Sequence, residues 1–426
     1  MTDQPPRGYV GLMFDPSFGS LFWGKLLTVT GTLVQSIVAA IVVFEATHSA
    51  LMVGLVSIFQ FGSQLILTPL AGKWADTYSA FKQLLAGRLL CFVGSVILVV
   101  WAYVVPDPEG ARDVVPVFFA SFVIGLGFVL GGPVMQSMVP RLIRPGELPK
   151  AMALNSSPMT IGRVAGPAVG ALLTVNFGAV AAFSVAVFTQ LAFLILLFFI
   201  RFPPQPERLA TTDYSVRAGL RHVRSDRTLL LLLAVTAALG FGSEPSVTLA
   251  PPLADAVGGS ARLVGELSAA FGVGALLGLV VLSPLGRWLS HAAVTSLGIW
   301  MMAGGLVLSA VSTEVGPVLA TASFALAGFG FMVAFTAAAT LIQERVPDVL
   351  RGRVMALWLI AFIGFRPIGA AIDGFLADIV SVEFAFAVSA GLLAITGVLW
   401  RPSRAAAPAP DPATRPAVDS AVPGGA

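Results

Sequence analysis

The sequence predicts an all-α membrane protein with twelve transmembrane helices in two pseudo-symmetric six-helix bundles. Three observations carry this expectation. Composition is the first: of 426 residues 57% are hydrophobic and 11% charged, and the mean hydropathy is +0.90, whereas soluble globular chains carry about 25% charged residues. The second is the length of the apolar runs. Segments of roughly 20 apolar residues fold as helices in hydrocarbon, because each backbone N–H and C=O must be satisfied within its own segment. A membrane barrel would instead show alternating segments of about 10 residues. The third is internal repetition. Leu67-Thr68-Pro69-Leu70-Ala71-Gly72-Lys73-Trp74 is echoed by Leu282-Ser283-Pro284-Leu285-Gly286-Arg287-Trp288. Lys150-Ala151-Met152-Ala153-Leu154 returns as Arg353-Val354-Met355-Ala356-Leu357, and at that offset Arg163 falls on Arg366 and Gly166 on Gly369. Related halves in an apolar chain mark transporters that handle their solute where the halves meet.

Taken in order, residues 1–17 are polar, broken by Pro5, Pro6, Gly8 and Pro16, and followed by no small-residue cleavage site, so they read as a cytosolic tail. The first bundle, 18–200, has spans near 18–44, 51–73, 83–105, 115–138, 151–175 and 178–200. Residues 201–227 begin with Pro203, Pro204 and Pro206 and continue with Arg217, Arg221, Arg224 and Arg227 at near-helical spacing. This is a cytoplasmic linker followed by a basic amphipathic helix suited to an anionic leaflet. The second bundle, 228–403, has spans near 228–252, 263–285, 291–311, 316–342, 353–377 and 382–400. Residues 404–426 are Pro- and Ala-rich without periodicity and read as a disordered cytosolic tail.

Orientation follows from the 25 Lys and Arg residues. Only Arg112 and Arg262 fall in loops opposite the tails, and Arg163 and Arg366 fall within spans, so both termini are expected in the cytoplasm. The net charge of +3 forms no aromatic-interleaved basic patch, which argues against nucleic acid. Cys91 is the single cysteine, so no intramolecular disulfide can form. His48, His222 and His291 show no ligand spacing, and neither metal nor cofactor is expected.

The junction after span 2 has a mechanical reading. Gly72 allows close backbone approach, and Asp76 stands at a helix end with Lys73, Lys82 and Arg88 nearby. An acid among cations there is either a latch between helices, broken on a change of conformation, or a solvated loop charge. In span 5, Gly162, Gly166, Pro167 and Gly170 place small residues four apart with a proline that permits a bend. They either seal one side of the protein or simply pack helices. Arg163 and Arg366 lie about a dozen residues into their spans, where each costs at least ~2.5 kcal/mol unless it faces protein or a wet cavity. Asp373 follows Arg366 by two turns on one helix face, and Glu244 is well inside span 7. Glu244 and Asp373, with the two arginines, are therefore the candidates for loading and releasing a proton. A fixed ion pair between helices is the alternative. Glu45 and Asp378 read as outer-surface residues.

The Gly72-x-x-x-Asp76 junction with Lys82 resembles the loop 2–3 signature of the major facilitator superfamily, and the span-5 pattern resembles its antiporter motif. Ala46-Thr47-His48-Ser49, Val139-Pro140, Arg163-Val164-Ala165-Gly166-Pro167 and Arg351-Gly352-Arg353-Val354-Met355 resemble a narrower branch, the enterobactin-exporter and transmembrane secretion effector group. The likeness runs from about Phe18 to Trp400. It departs from the signature at Thr77 and Ser79, and Ser290 stands near the acid's place in the second copy. The resemblance implies the major facilitator fold, with spans 1, 4, 7 and 10 lining a central cavity. On those spans Thr28, Gly31, Gln35, Gln136, Thr336 and Thr340 form the polar stripes expected to face the solute. The function expected is proton-coupled efflux of a hydrophobic or amphipathic drug or siderophore by a monomer in a bacterial inner membrane. Proton-coupled uptake and a non-transporting receptor on the same fold are the alternatives. No Gly-x-x-x-x-Gly-Lys-Ser/Thr loop exists to use ATP, and no clustered groups suggest an enzyme.

Overall fold

A computed structural model describes residues 6–77, 79–202, 216–286, 288–346 and 348–400. Within its helices, the side chains of 66, 68–77, 160, 216–219, 283, 348–349 and 351–352 lie outside the description. The spans are Phe18–Thr47, Ala50–Thr77, Ala80–Val104 and Val115–Met138 for the first four. Leu148–Leu197 then runs as one 50-residue helix broken at Gly178, whose φ of 79° and ψ of 171° lie in the left-handed half of backbone space that glycine tolerates. That break separates span 5 (148–177) from span 6 (179–197). Span 7 consists of Arg227–Gly242, Pro245–Thr248 and Ala250–Ala256. Spans 8 to 12 are Ala261–Leu285, His291–Val315, Pro317–Arg345, Asp348–Ile379 and Val382–Leu399. Ten helices among the described residues are long and apolar enough to cross a bilayer. Dividing one at Gly178 and adding Ala50–Leu65 gives the twelve expected.

Sequence pattern did not show the breaks in span 7. The apolar run is continuous there, but Pro245, Pro251 and Pro252 have no N–H to donate, and the helix opens at Ser243 and Glu244.

The two halves repeat one packing scheme. Spans 1 and 5, 2 and 4, 3 and 4, and 3 and 6 pack together in the first half, and 7 and 11, 8 and 10, 9 and 10, and 9 and 12 do so in the second. Capping repeats as well. The Asp15 carboxylate accepts from Ser17 N and Phe18 N at the start of span 1, and Asp226 accepts from Thr228 N and Leu229 N at the start of span 7. Each of these satisfies donors that a helix start leaves unpaired. Ser79 and Ser290 cap spans 3 and 9 in the same way, accepting from Lys82 N and Ala293 N.

The segment before span 1 is anchored. Tyr9–Met13 is a short helix with Leu12 fully buried, and the Arg7 guanidinium pairs with both Asp15 and Glu147. Glu147, at the entry to span 5, also accepts from Arg7 N at 2.6 Å and Arg144 N at 2.8 Å. The Arg7 side chain together with these amide donors holds the Glu147 carboxyl down at about 2. A depressed carboxylate stabilises above its unfolded value and loses that contribution as pH falls toward the folded one. Glu147→Gln is therefore expected to lower the stability at pH 7 by on the order of 2 kcal/mol. The gap to the parent should close between pH 5 and pH 2.5, measured by thermal unfolding in detergent. A pH-independent gap would assign Glu147 to packing alone.

After span 6, residues 203–215, the body of the expected linker, lie outside the described residues, as does the tail beyond residue 400. The basic helix is present as Val216–Ser225, with Val223 buried against the bundle and Arg221 and Arg224 exposed.

Candidate functional site at the seam between the halves

The two halves touch along spans 2 and 11 and along spans 5 and 8. Glycines set the distance. A Cβ on Gly54 would lie 2.4 Å from Ala370 O, and one on Gly374 would lie 2.7 Å from Leu51 Cα. On the other side, a Cβ on Gly265 would lie 2.1 Å from Ala171 Cβ, and one on Gly272 would lie 2.4 Å from Arg163 O. All four approaches lie between the helix ends away from the tails, here the far end, and the middle of the spans. Toward the tail end, Met152, Ser156, Met159 and Leu359 are exposed. The halves are thus clasped at the far end.

Asp378 completes that clasp. From the end of span 11 its carboxylate accepts from Ser49 Oγ, Ala50 N at 2.7 Å and Leu51 N at 3.2 Å, capping span 2 of the opposite half. It also lines a surface cavity of about 260 Å³ with Phe44, His48 and Asp255. The sequence placed Asp378 at the surface, where it is, but gave no sign of what it holds. A charged cap on a helix N-terminus contributes about 0.5–2 kcal/mol. Asp378→Asn is expected to raise maleimide labelling of Leu51→Cys, in a Cys91→Ser background, by roughly threefold to tenfold. Unchanged labelling would make the cap a surface ornament.

Of the candidate acids and arginines, Glu244 and Arg366 meet at mid-span. Glu244, fully buried at the break in span 7, forms an ion pair with Arg366 of span 11. The Arg366 guanidinium also lies 3.9 Å from the ring of Phe61, on span 2 of the other half. Arg163 of span 5 reaches across in the opposite sense, 4.9 Å from the ring of Phe331 on span 10. Both arginines thus bridge the halves by cation–π contacts, worth about 2 kcal/mol or more when desolvated. Asp373 is fully buried two turns from Arg366, yet its partner is Ser389 of span 12 at 2.6 Å, and its Oδ2 has none. Arg366 is therefore matched by the acid of another helix rather than by the acid on its own face. The second Glu244 oxygen is likewise unpartnered.

Other expected positions fall elsewhere. The side chains of Gly72, Lys73 and Asp76 lie outside the described residues, and Lys82 is exposed. Arg88 does not stand at that junction. It is fully buried inside span 3, donating to Thr28 Oγ1 at 3.2 Å, with Phe128 and Phe193 rings at 5.3 and 5.8 Å. The stripe of Thr28, Gly31 and Gln35 faces spans 3 and 6 rather than the solute path. Thr28 donates to Gln190, a Cβ on Gly31 would strike Thr189, and Gln35 accepts from Ser95. Helical periodicity found a polar face there but not which neighbour it meets. Gln136 is exposed and accepts from Asn155 Nδ2 at 2.8 Å, and Thr336 and Thr340 are half-buried. Gly162, Gly166 and Gly170 let span 5 close on Val29, Leu33 and Ile37 of span 1, beside the in-helix Pro167.

Sequence reasoning missed Lys25. Buried in span 1, its Nζ donates to Asn155 O and Oδ1, both at 2.8 Å. Its place seven residues into the first apolar run was the available signal.

Two six-helix halves, joined by twin helix pairs with charges buried at the seam, define a transporter of the major facilitator superfamily. The chain belongs to the transmembrane secretion effector family, whose model matches residues 13–414. It is 27% identical over 392 residues to the enterobactin exporter EntS of Shigella flexneri, covering 90% of each chain, and 27% identical to that of Escherichia coli O81 (strain ED1a), covering 90% of this chain and 91% of the other. Among solved structures it resembles a bacterial homologue of the iron transporter ferroportin, with TM-score 0.68, 18% identity and coverage of 90% and 97%. It also resembles the POT family transporter PepTSo, with TM-score 0.71, 12% identity and coverage of 93% and 97%. The chain is a multi-pass secondary transporter of small molecules.

Proposed function

We propose that this chain exports a hydrophobic or amphipathic small molecule of the siderophore or drug type from the bacterial cytoplasm, by alternating access and against proton influx. The reading places the tails in the cytoplasm, so the far-end clasp is the periplasmic gate and the exposed tail-end surfaces form the cytoplasmic entrance. Export is supported by the relatives that are enterobactin exporters. Coupling is supported by one observation above the rest: the buried Glu244–Arg366 pair, with Asp373 nearby, sits where rocking of the halves would change its surroundings. A carboxylate that gains or loses a cation between two conformations changes its proton affinity, and this is how a helix movement loads or releases a proton. A monomer suffices, because both halves of the seam belong to one chain.

Proteoliposomes with an imposed pH gradient, loaded in turn with siderophores and lipophilic drugs, test the proposal. Uphill movement of a solute opposite to the protons, lost in Asp373→Asn, is the expected result. Solute moving in the same direction as the protons would favour uptake, and movement indifferent to the gradient would remove proton coupling.

A further inference from the structure

Arg163 differs from every other buried cation in its setting. It lies mid-span at the seam, partly uncovered, and among the described residues no ion pair reaches it. The acids of the seam do not reach it: one oxygen of Glu244 pairs with Arg366, one of Asp373 accepts from Ser389, and the second oxygen of each has no partner. Arg163 also feels the like charge of Arg366. Its half offers no compensation: spans 1, 3, 4, 5 and 6 bury Lys25, Arg88 and Arg163, while their only carboxylate is Glu45 at the far end of span 1. Uncompensated cations in low dielectric create a positive potential that selects anions.

The surface that Arg163 faces is aromatic. Phe331 stacks on Phe335 at 5.3 Å between centroids, and Phe335 meets Trp358 at 4.6 Å and Phe362 at 4.7 Å. Phe335 and Trp358 are only partly covered, and the Trp358 Nε1 donor has no acceptor although water does not reach it. A planar guanidinium with its fork of donors, an indole N–H without a partner, and stacked rings together match a planar aromatic ring bearing a carboxylate or phenolate.

We propose that Arg163 with Phe335 and Trp358, backed by the fully buried ring of Phe331, forms the recognition subsite for an aromatic organic anion, and that this is the substrate class the transporter carries. The inference rests on the transport reading and deepens it. Arg163 supplies the charge that fixes the anionic group, and the aromatic cluster of spans 10 and 11 supplies the face on which the ring lies. Because these groups come from opposite halves, the solute would be held by both.

Equilibrium binding tests the subsite without any gradient. The full chain in lipid nanodiscs is titrated calorimetrically with 1-naphthoate, its neutral counterpart 1-naphthalenemethanol, and the saturated, non-aromatic acid cyclohexanecarboxylate. The expected result is naphthoate binding at least roughly tenfold tighter than either, a difference of about 1.4 kcal/mol. Arg163→Gln should erase the preference over the alcohol and Phe335→Leu the preference over the cyclohexane acid. Quenching of tryptophan fluorescence by naphthoate should shrink in Trp358→Phe, a readout that stands if the arginine variant does not fold. Equal affinities for the three probes, no binding of any, or an undiminished anion preference in a folded Arg163→Gln would each overturn the proposal. Selective binding by a protein that moves no solute would refute the transport reading instead and leave the subsite standing.

Discussion

Replacing Glu244 by glutamine is expected to abolish gradient-driven transport, by roughly 100-fold or more, about 2.7 kcal/mol of lost coupling. The amide keeps the shape of the side chain but cannot alternate between charged and neutral forms. It also leaves Arg366, half-buried beside Phe61 and Phe362, without a counter-charge. Removing one partner of a buried pair costs about 3–5 kcal/mol, so thermal stability should fall as well. The two effects can be separated, because replacing both partners of a buried pair by neutral residues is often neutral or stabilising. Glu244→Gln combined with Arg366→Met is therefore expected to recover most of the melting temperature and none of the coupled transport. Recovery of both would reduce the pair to a staple between spans 7 and 11.

The second large effect is expected at Gly272. A Cβ there would lie 2.4 Å from Arg163 O, 2.7 Å from Arg163 C and 2.9 Å from Val164 Cα, all backbone atoms that cannot rotate away. Interiors are packed too densely to absorb a contact roughly 1 Å too short, so spans 5 and 8 must separate. Gly272→Val should thus disfavour the state closed at the far end and slow transport by at least about tenfold. Spin labels at Asn176 and Arg262, exposed near the far ends of those spans, report the separation. A longer distance population in the variant is expected. Parental distances together with parental transport would show that the glycine is not needed for closure.

These effects depend on facts of differing visibility in the sequence. The spans and the relation of the halves were legible because hydrocarbon forces helices and because the echoes at Arg163/Arg366 and Gly166/Gly369 survive. The arginines and Glu244 stood out because charge is rare in apolar runs. Their pairing did not. Periodicity shows that Arg366 and Asp373 share a helix face, but whether that face meets span 7 or span 12 is a tertiary matter, and Arg366 turned to Glu244 while Asp373 took Ser389. The same limit sent Thr28 and Gln35 toward spans 3 and 6. Lys25 and Arg88 were concealed by their nearness to span ends, where a long cation ordinarily reaches water. Neutral partners, Asn155 for one and Thr28 for the other, hold them inside instead.

Proton movement driven by the solute itself tests the central claim most directly. Liposomes containing the parental chain, with no pH gradient imposed and a pH dye inside, receive a saturating transported solute on one side. The expected result is a proton flux opposite to the solute, absent in Glu244→Gln. Downhill solute movement with no change of internal pH in the parental protein would contradict proton-coupled export.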